Sequence, residues 1–492
     1  MRYLLPLLLA LSACSDARTY ETPDASGSDA GPASDVPTAS DVPTASDVPT
    51  ASDVPTASDV PTASDTPTAS DVPTASDTPA LVDTPALVDT PALVDVPVAD
   101  AGSAEDAATL DRPSPIDVGV DSGAIDRPTP VDACTPGACD PPESARLSVG
   151  GSYACALRSS GAVACWGANN QGQLGDGSRT DSLAPVAVVG LADAVEVAAG
   201  TAHACARRAS GAASCWGFNN HGQLGNASSA THTAPVAVMG LSDAVQLVAG
   251  TYHTCARRAS GAVLCWGYNS EGQLGNGTTA DATTPVAVMG LSDAVQISAG
   301  SFHTCARRAS GAVLCWGSNG AGRLGNGSTV SSSLPVVVQG LSDAVQVSAG
   351  TSHTCAIRRA GPVVCWGSNS NGQLGNGTLA GSLTPTAVEG LSDASRITAA
   401  YTHTCALRAT GAVSCWGANG LGQLGYDMLP DARSPVAVAG LLDATQIAAF
   451  FQQTCARRAT GGVVCWGNNA DGQLGDGTTT HRGTPVPVRG LP

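Results

Sequence analysis

The residues with chemistry to offer recur in one stretch, His253-Thr-Cys-Ala-Arg-Arg-Ala-Ser-Gly-Ala-Val-Leu-Cys-Trp-Gly267, which returns seven times with small changes. Two thiols ten residues apart, beside an imidazole, could ligate a metal, exchange electrons or close a disulfide. Zinc asks for four ligands, and two cysteines per unit do not supply them. There is no Ser/His/Asp ordering, no clustered carboxylate pair within a unit, and no phosphate-cradling glycine loop opening a helix. From the repeated residues, then, no catalytic group, metal or cofactor is expected. Non-repeated loop residues of different units could still assemble a site.

What positions these residues is a strict period. The tryptophans fall at Trp166, Trp216, Trp266, Trp316, Trp366, Trp416 and Trp466, and seven fifty-residue units fill 143–492 without insertion or deletion. A fixed period of this length marks a repeat architecture. In the third unit, Ala244–Ala249 reads as a first strand, Thr254–Arg258 as a second, Ala262–Trp266 as a third and Pro285–Val288 as a fourth. The turn Ala259-Ser-Gly261 suits a three-residue hairpin with glycine in the left-handed position. Four short antiparallel strands per unit, seven times over, predict an all-β chain folded as a seven-bladed β-propeller with four-stranded blades.

Register then decides among the cysteine chemistries. With Arg258 and Ala262 closing the hairpin, opposed positions sum to a constant, and Cys255 faces Cys265 in a non-hydrogen-bonded pair. Such a pair lies close enough for a disulfide, and the alternative is seven pairs of buried free thiols. The same pairing is expected for Cys155 with Cys165, Cys205 with Cys215, Cys305 with Cys315, Cys355 with Cys365, Cys405 with Cys415, and Cys455 with Cys465. The connections suggest a closure scheme. Met289–Asp293 links fourth strand to next first strand in a few residues, whereas Gly267–Thr284 is long. Because short links join neighbours within a sheet, each blade is expected to take the fourth strand of one unit and the first three of the next. Blade one would then borrow Pro485–Val488.

The part before the repeats is of another kind. Residues 1–142 carry 24 Asp and Glu against 4 Arg, and 143–492 carry 17 against 19, so an acidic segment of about −20 precedes a near-neutral domain. That balance lacks the basic footprint of a nucleic-acid binder, and none is expected as partner. Arg2 precedes the apolar run Tyr3 to Leu11, too short to span a bilayer and suited to a signal-peptide core. Leu11-Ser-Ala-Cys14 resembles a bacterial lipobox, which implies a signal peptide over 1–13 and a lipid on Cys14, with an ordinary secretory signal as the alternative. Residues 14–142 hold the hexad Ser-Asp-Val-Pro-Thr-Ala, drifting to Thr-Pro-Ala-Leu-Val-Asp over Thr78–Asp95. Regular proline and aspartate keep such a chain extended and hydrated, a disordered stalk or simply a tail. Cys134 and Cys139 enclose Thr-Pro-Gly-Ala and suit a short local disulfide. The chain is thus expected to be exported and held by its lipid in a bacterial cell envelope, at the outer membrane or the cell surface.

Trp266-Gly-Tyr-Asn-Ser-Glu-Gly-Gln-Leu-Gly275, preceded by His253-Thr-Cys-Ala, resembles the regulator of chromosome condensation repeat, and the pattern Trp-Gly-x-Asn-x-x-Gly-Gln/Arg-Leu-Gly occurs in all seven units. The resemblance implies a seven-bladed propeller. It also implies a structural hydrogen-bonding histidine at His203, His253, His303, His353 and His403, where Tyr153 and Gln453 stand in the end units. The family's founding member is a guanine-nucleotide exchange factor. Here the uniform period leaves no room for an inserted exchange hairpin, and an acidic segment stands where a basic tail would be, so exchange is not expected.

Strand direction sends the first-to-second turns and the third-to-fourth loops to one face. Tyr153, Phe218, Tyr252, Tyr268, Phe302, Tyr401, Phe450 and Phe451 are placed there, as anchors for a protein or glycan or as packing between blades. Arg158, Arg208, Arg258 and their equivalents crowd the opposite face as solvated turn charges, with an anionic partner as the alternative. The expected molecule is a monomeric binding module. The competing readings are an extracellular polysaccharide-acting enzyme, using a loop carboxylate such as Asp281, and a purely structural envelope repeat.

Overall fold

The computed structural model describes residues 146–427 and 430–491. The expected signal peptide, the expected lipid site at Cys14, the expected stalk and the expected Cys134–Cys139 disulfide lie outside them. The described residues form seven four-stranded antiparallel sheets, one per unit. In the third unit the strands are Ala244–Ala249, His253–Arg258, Val263–Gly267 and Ala282–Ala287. The first three match the periodicity to within a residue. The fourth begins three residues earlier than expected, because beyond a register shift after Cys265 the ladder resumes at Gly267 opposite Ala282.

The hairpin register is the one expected: Cys255 faces Cys265, and Arg257 faces Val263. Arg258 N donates to Ala262 O at 2.8 Å, and Gly261 closes the turn at φ +86°. All seven blades carry the disulfide, with Cα atoms 4.0–4.1 Å apart. Each closes a short loop and contributes about 2–3 kcal/mol.

Blade composition differs from expectation. Each sheet holds the four consecutive strands of one unit, and no strand is lent to a neighbour. Arg482–Pro487 pairs with Val463–Gly467 inside the seventh blade. The short link misleads because a blade is narrow. Three inter-strand steps of about 4.8 Å make roughly 14 Å, and half a dozen extended residues span about 20 Å. The link can therefore run from the outer edge of one blade to the inner strand of the next.

Closure uses the joint found between every other pair of blades. Each core cluster lies between two blades and joins the disulfide of one to the tryptophan of the next: Cys255, Cys265 and Leu274 meet Ile297 and Trp316, and at the seam Cys455, Cys465 and Leu474 meet Leu147 and Trp166. All seven indoles are fully buried. Trp316 Nε1 donates to Gln273 O at 2.9 Å, and Trp166 Nε1 to Gln473 O at 2.9 Å.

The sheet edges are managed by composition. Inner strands would leave unpaired backbone groups toward the next blade, and a glutamine amide takes their place. Gln246 Oε1 accepts from Ile297 N at 2.9 Å, and its Nε2 donates to Ile297 O at 3.0 Å. In blade two Glu196 replaces that glutamine. Burial raises its pKa above the ordinary value, and the ion pair with Arg207 at 2.8 Å opposes the rise. Each outer strand carries a proline, from Pro185 to Pro485, which blunts the exposed edge.

Candidate loop-face site

The long loop after each third strand is built around one buried asparagine. Asn269 Oδ1 accepts from Leu274 N at 2.9 Å, while its Nδ2 donates to Thr278 O at 3.0 Å and Ala280 O at 2.9 Å. Gln273 Oε1 accepts from Glu271 N at 3.1 Å and fixes the next corner. The repeated Trp-Gly-x-Asn is therefore a frame, and its variable x projects from the frame. Phe218 and Tyr268 occupy that position in units two and three. The variable residue before the histidine, in the first-to-second turn, supplies Tyr252 and Phe302.

These four half-buried rings form one row across blades two to four. Phe218 to Tyr252 is 5.7 Å between centroids, Tyr252 to Tyr268 is 6.2 Å, and Tyr268 to Phe302 is 6.1 Å. His221, absent from the sequence expectation, sits among them, 4.7 Å from Tyr268 and 5.5 Å from Tyr252. Its Nδ1 meets Asp281 Oδ2 at 2.8 Å, while Asp281 Oδ1 accepts from Asn269 N at 2.8 Å. Both oxygens of this carboxylate are thus spent on holding the loop and the imidazole. The sequence signal for His221 is a lone histidine, off the repeated histidine position, between the display positions of Phe218 and Tyr252.

A second group stands apart from the row. Tyr401 and Phe451 stack at 5.3 Å with planes 2° apart, and Phe450 lies 5.2 Å from Phe451. Its residues come from different repeat positions, the turn glycine and the one after it. In units one to five that position is glycine, where a Cβ on Gly250 would lie 2.4 Å from both Gly300 O and the His253 ring, and unit six places the small Ala400 there. In blade seven Gln453 replaces the histidine and the turn tightens, with Phe450 pairing Gln453 and Phe451 at φ +44°. A bulky residue held there carries backbone strain of order 1–3 kcal/mol, the kind that clusters at functional sites.

Tyr153 belongs to neither group, which corrects its placement among exposed anchors. It fills the histidine position of blade one, is fully buried, and its hydroxyl donates to His203 O. The joint needs a hydrogen-bonding side chain there, so the ring points inward.

The histidines form an inter-blade belt. His203 Nε2 meets Thr254 Oγ1 at 3.0 Å, and Thr254 Oγ1 donates to Gln223 O at 2.9 Å. Having spent its proton, the threonine must accept, so Nε2 carries a hydrogen, while Nδ1 is sealed from solvent with no partner and burial keeps the ring neutral. The contact recurs from His253 to Thr304, His303 to Thr354, His353 to Thr404 and His403 to Thr454, at 2.8–2.9 Å. Burial pulls His203, His253, His353 and His403 down to about 3, and His303 well below its ordinary value. On the opposite face, Arg258 Nε pairs with Asp243 at 2.8 Å, and Arg308, Arg358, Arg408 and Arg458 repeat the pair. These turn charges already have partners within their own blades.

Between the loops of blades four and five lies an open groove of about 420 Å³, lined among others by Ala321, Ser368, Ser370, Leu379 and Leu383. Among the described residues no cluster of His, Cys, Asp and Glu is arranged to hold a metal ion.

Comparison with known proteins agrees with this geometry. The profile described as the RCC1-like domain matches residues 119–395, and that of the Regulator of chromosome condensation (RCC1) repeat matches 395–423 and 460–492. No curated protein matches the chain. Among solved structures, yeast RCC1 (Prp20) bound to Kap60 aligns at a TM-score of 0.61 and 21% identity, over 66% of this chain and 83% of that one. Prp20p of Saccharomyces cerevisiae, described with its binding properties to Gsp1p and histones, aligns at 0.61 and 22%, over 68% and 87%. Human WBSCR16 aligns at 0.61 and 21%, over 66% and 93%. At these identities the likeness is one of fold.

Proposed function

Because the chain belongs to the RCC1-like domain family, we propose that it is a protein-binding propeller whose aromatic row on the loop face docks a protein partner. The observation carrying this reading is the continuous row Phe218–Tyr252–Tyr268–Phe302 around His221. All four phenylalanines of the chain belong to the two loop-face groups, a concentration that packing between blades does not require. Partly exposed aromatic rings on a rigid frame are the usual anchors of an interface.

Ring geometry favours a protein over a glycan. A sugar stacks on an open ring face, whereas successive rings of the row are inclined at 54°, 82° and 68° and turn edges toward one another. Such a surface suits apolar side chains inserted between rings. An enzyme acting through Asp281 is not favoured, since both carboxylate oxygens are engaged. Yeast RCC1 bound to Kap60 lends support by analogy of fold. The remaining part of the proposal is location: a bacterial envelope lipoprotein, anchored by a lipid on Cys14 and displaying the propeller on the 14–142 stalk.

The test compares capture of partners by the whole protein and two variants. Tyr252→Ala/Tyr268→Ala/Phe302→Ala should lose a stoichiometric protein partner that Tyr401→Ala/Phe451→Ala retains. Retention by the first variant would sink the reading. For the anchor, Cys14→Ala should leave the membrane fraction and lose metabolic labelling by fatty acid; a variant still labelled would end that part.

A further inference from the structure

Six units place a glutamine after the loop glycine, and the fourth places Arg323. The glutamine has a local task, accepting a hydrogen bond from the backbone two residues earlier, as Gln223 does for His221 N at 3.0 Å and Gln373 for Asn371 N at 2.9 Å. A guanidinium has no acceptor to offer, so this corner of the fourth loop forgoes the bond. The backbone of Arg323 keeps its role in the joint, its carbonyl accepting from Trp366 Nε1 at 2.9 Å and Thr354 Oγ1 at 2.8 Å. The exchange therefore trades a bond within the loop for one across the joint, Nη1 to Thr351 O, and brings a full positive charge into it.

That charge is poorly compensated. Nη1 donates to Thr351 O at 3.0 Å, and Nε is sealed from solvent with no acceptor. Nη2 has no acceptor among the described residues and is not sealed. Glu271, whose field reaches the guanidinium, is itself hydrogen-bonded by Ser331. The neighbouring His303 and His353 are held neutral. Burial has drawn the pKa of Arg323 down to about 10. A full charge set in the joint against one neutral acceptor is a local rule broken beyond what the single bond to Thr351 O requires, the mark of a functional position.

Its location says for what. Thr351, which accepts from Arg323, shares a 2.7 Å hydroxyl contact with Ser301, and Ser301 precedes Phe302 at the end of the aromatic row. Ala321, two residues before Arg323, lines the open groove between blades four and five. An unpaired cation thus stands one turn beyond the last ring.

We propose that Arg323 receives a carboxylate of the protein partner, an Asp or Glu side chain beside the apolar residue seated on the row. The assignment rests on reading the row as the docking face, and its test can fail separately. In the full-length protein, arginine Nε–Hε resonances are followed by NMR, and the one missing from Arg323→Gln identifies Arg323. Titration with acetyl-Leu-Glu-amide should move that resonance saturably, while acetyl-Leu-Gln-amide should move it little. In Arg323→Gln the dipeptide affinity, followed on the aromatic ring signals, should fall about tenfold, the scale of one charge-assisted hydrogen bond. Equal movement with both dipeptides, or movement no larger than that of the paired turn arginine Arg258, overturns the proposal. Movement with galacturonate and not with the dipeptide overturns the protein partner in favour of a glycan. Arg323→Gln restores the glutamine of the other six units and should melt higher than wild type; a lower melting temperature would make Arg323 structural and end the proposal. A partner still captured by the row variant, with the Arg323 resonance responding, would fault the row alone.

Discussion

The two faces of the propeller share one set of strands and differ in what they do with it. On the hairpin face five consecutive blades repeat the same pair, Arg258 with Asp243 and its equivalents, at 2.8–2.9 Å. On the loop face the frame is equally constant, with Asn269 and its counterparts holding each loop, yet the tips change from blade to blade. Most of that variation lies outside the joints, and the departures within them are single replacements such as Glu196, Tyr153, Arg323 and Gln453. Where an aromatic residue takes a joint position, as Tyr153 takes that of the histidine, the side chain is drawn inside. A rigid frame with free tips lets recognition change without touching stability.

Three perturbations would break or sharpen that contrast. The largest effect should come from acid acting on the frame. Burial pulls four of the histidines from an ordinary 6.5 down to about 3, and His303 well below 6.5. Their stabilising contribution is complete above pH 6.5 and is lost as the pH falls toward 3. Each would forfeit about 5 kcal/mol if the fold survived to pH 3, so the ring should unfold cooperatively well before that. Circular dichroism against pH checks this, and replacing His253 and His303 with glutamine, the side chain blade seven uses, should move the midpoint to lower pH. A midpoint unaffected by those substitutions would remove the belt from the account.

The next effect concerns one joint. Trp316→Ala should cost about 3–5 kcal/mol in denaturant unfolding, since it empties the space between blades three and four and leaves Gln273 O with Thr304 Oγ1 as its remaining donor. A loss below 1 kcal/mol would mean the joints are not where stability resides. The smallest effect belongs to the hairpin face: Arg258→Ala should leave the melting temperature within error of wild type, because its ion pair with Asp243 is solvent-exposed. A clear drop there would make the two faces less different than they look.

Much of the frame was readable because the chain states it seven times. The hairpin register, and with it every disulfide between Cys155 and Cys465, followed from one glycine turn and strand alternation. Blade membership did not follow, since link length says nothing about width until the sheet is built. The display face was legible as a list of aromatic residues. Its division into a row and a separate Tyr401–Phe451 stack was not, because that depends on which repeat positions become neighbours across a joint. His221 and Arg323 escaped for a common reason: each is a single departure from a repeat whose regular members draw attention, and its meaning lies in neighbours from another unit.

The seam between the seventh and first blades carries a consequence for how such a ring can be inherited. Since Trp166 meets Gln473 as every other tryptophan meets its neighbour, and no sheet is shared across the junction, the ring has no privileged beginning. A gene of this kind can gain, lose or exchange whole fifty-residue segments, or start at another of the short inter-blade links, without dividing a sheet. Tips such as those bearing Tyr268 or Arg323 then travel as cassettes, each carrying its own strands, disulfide and half of two joints.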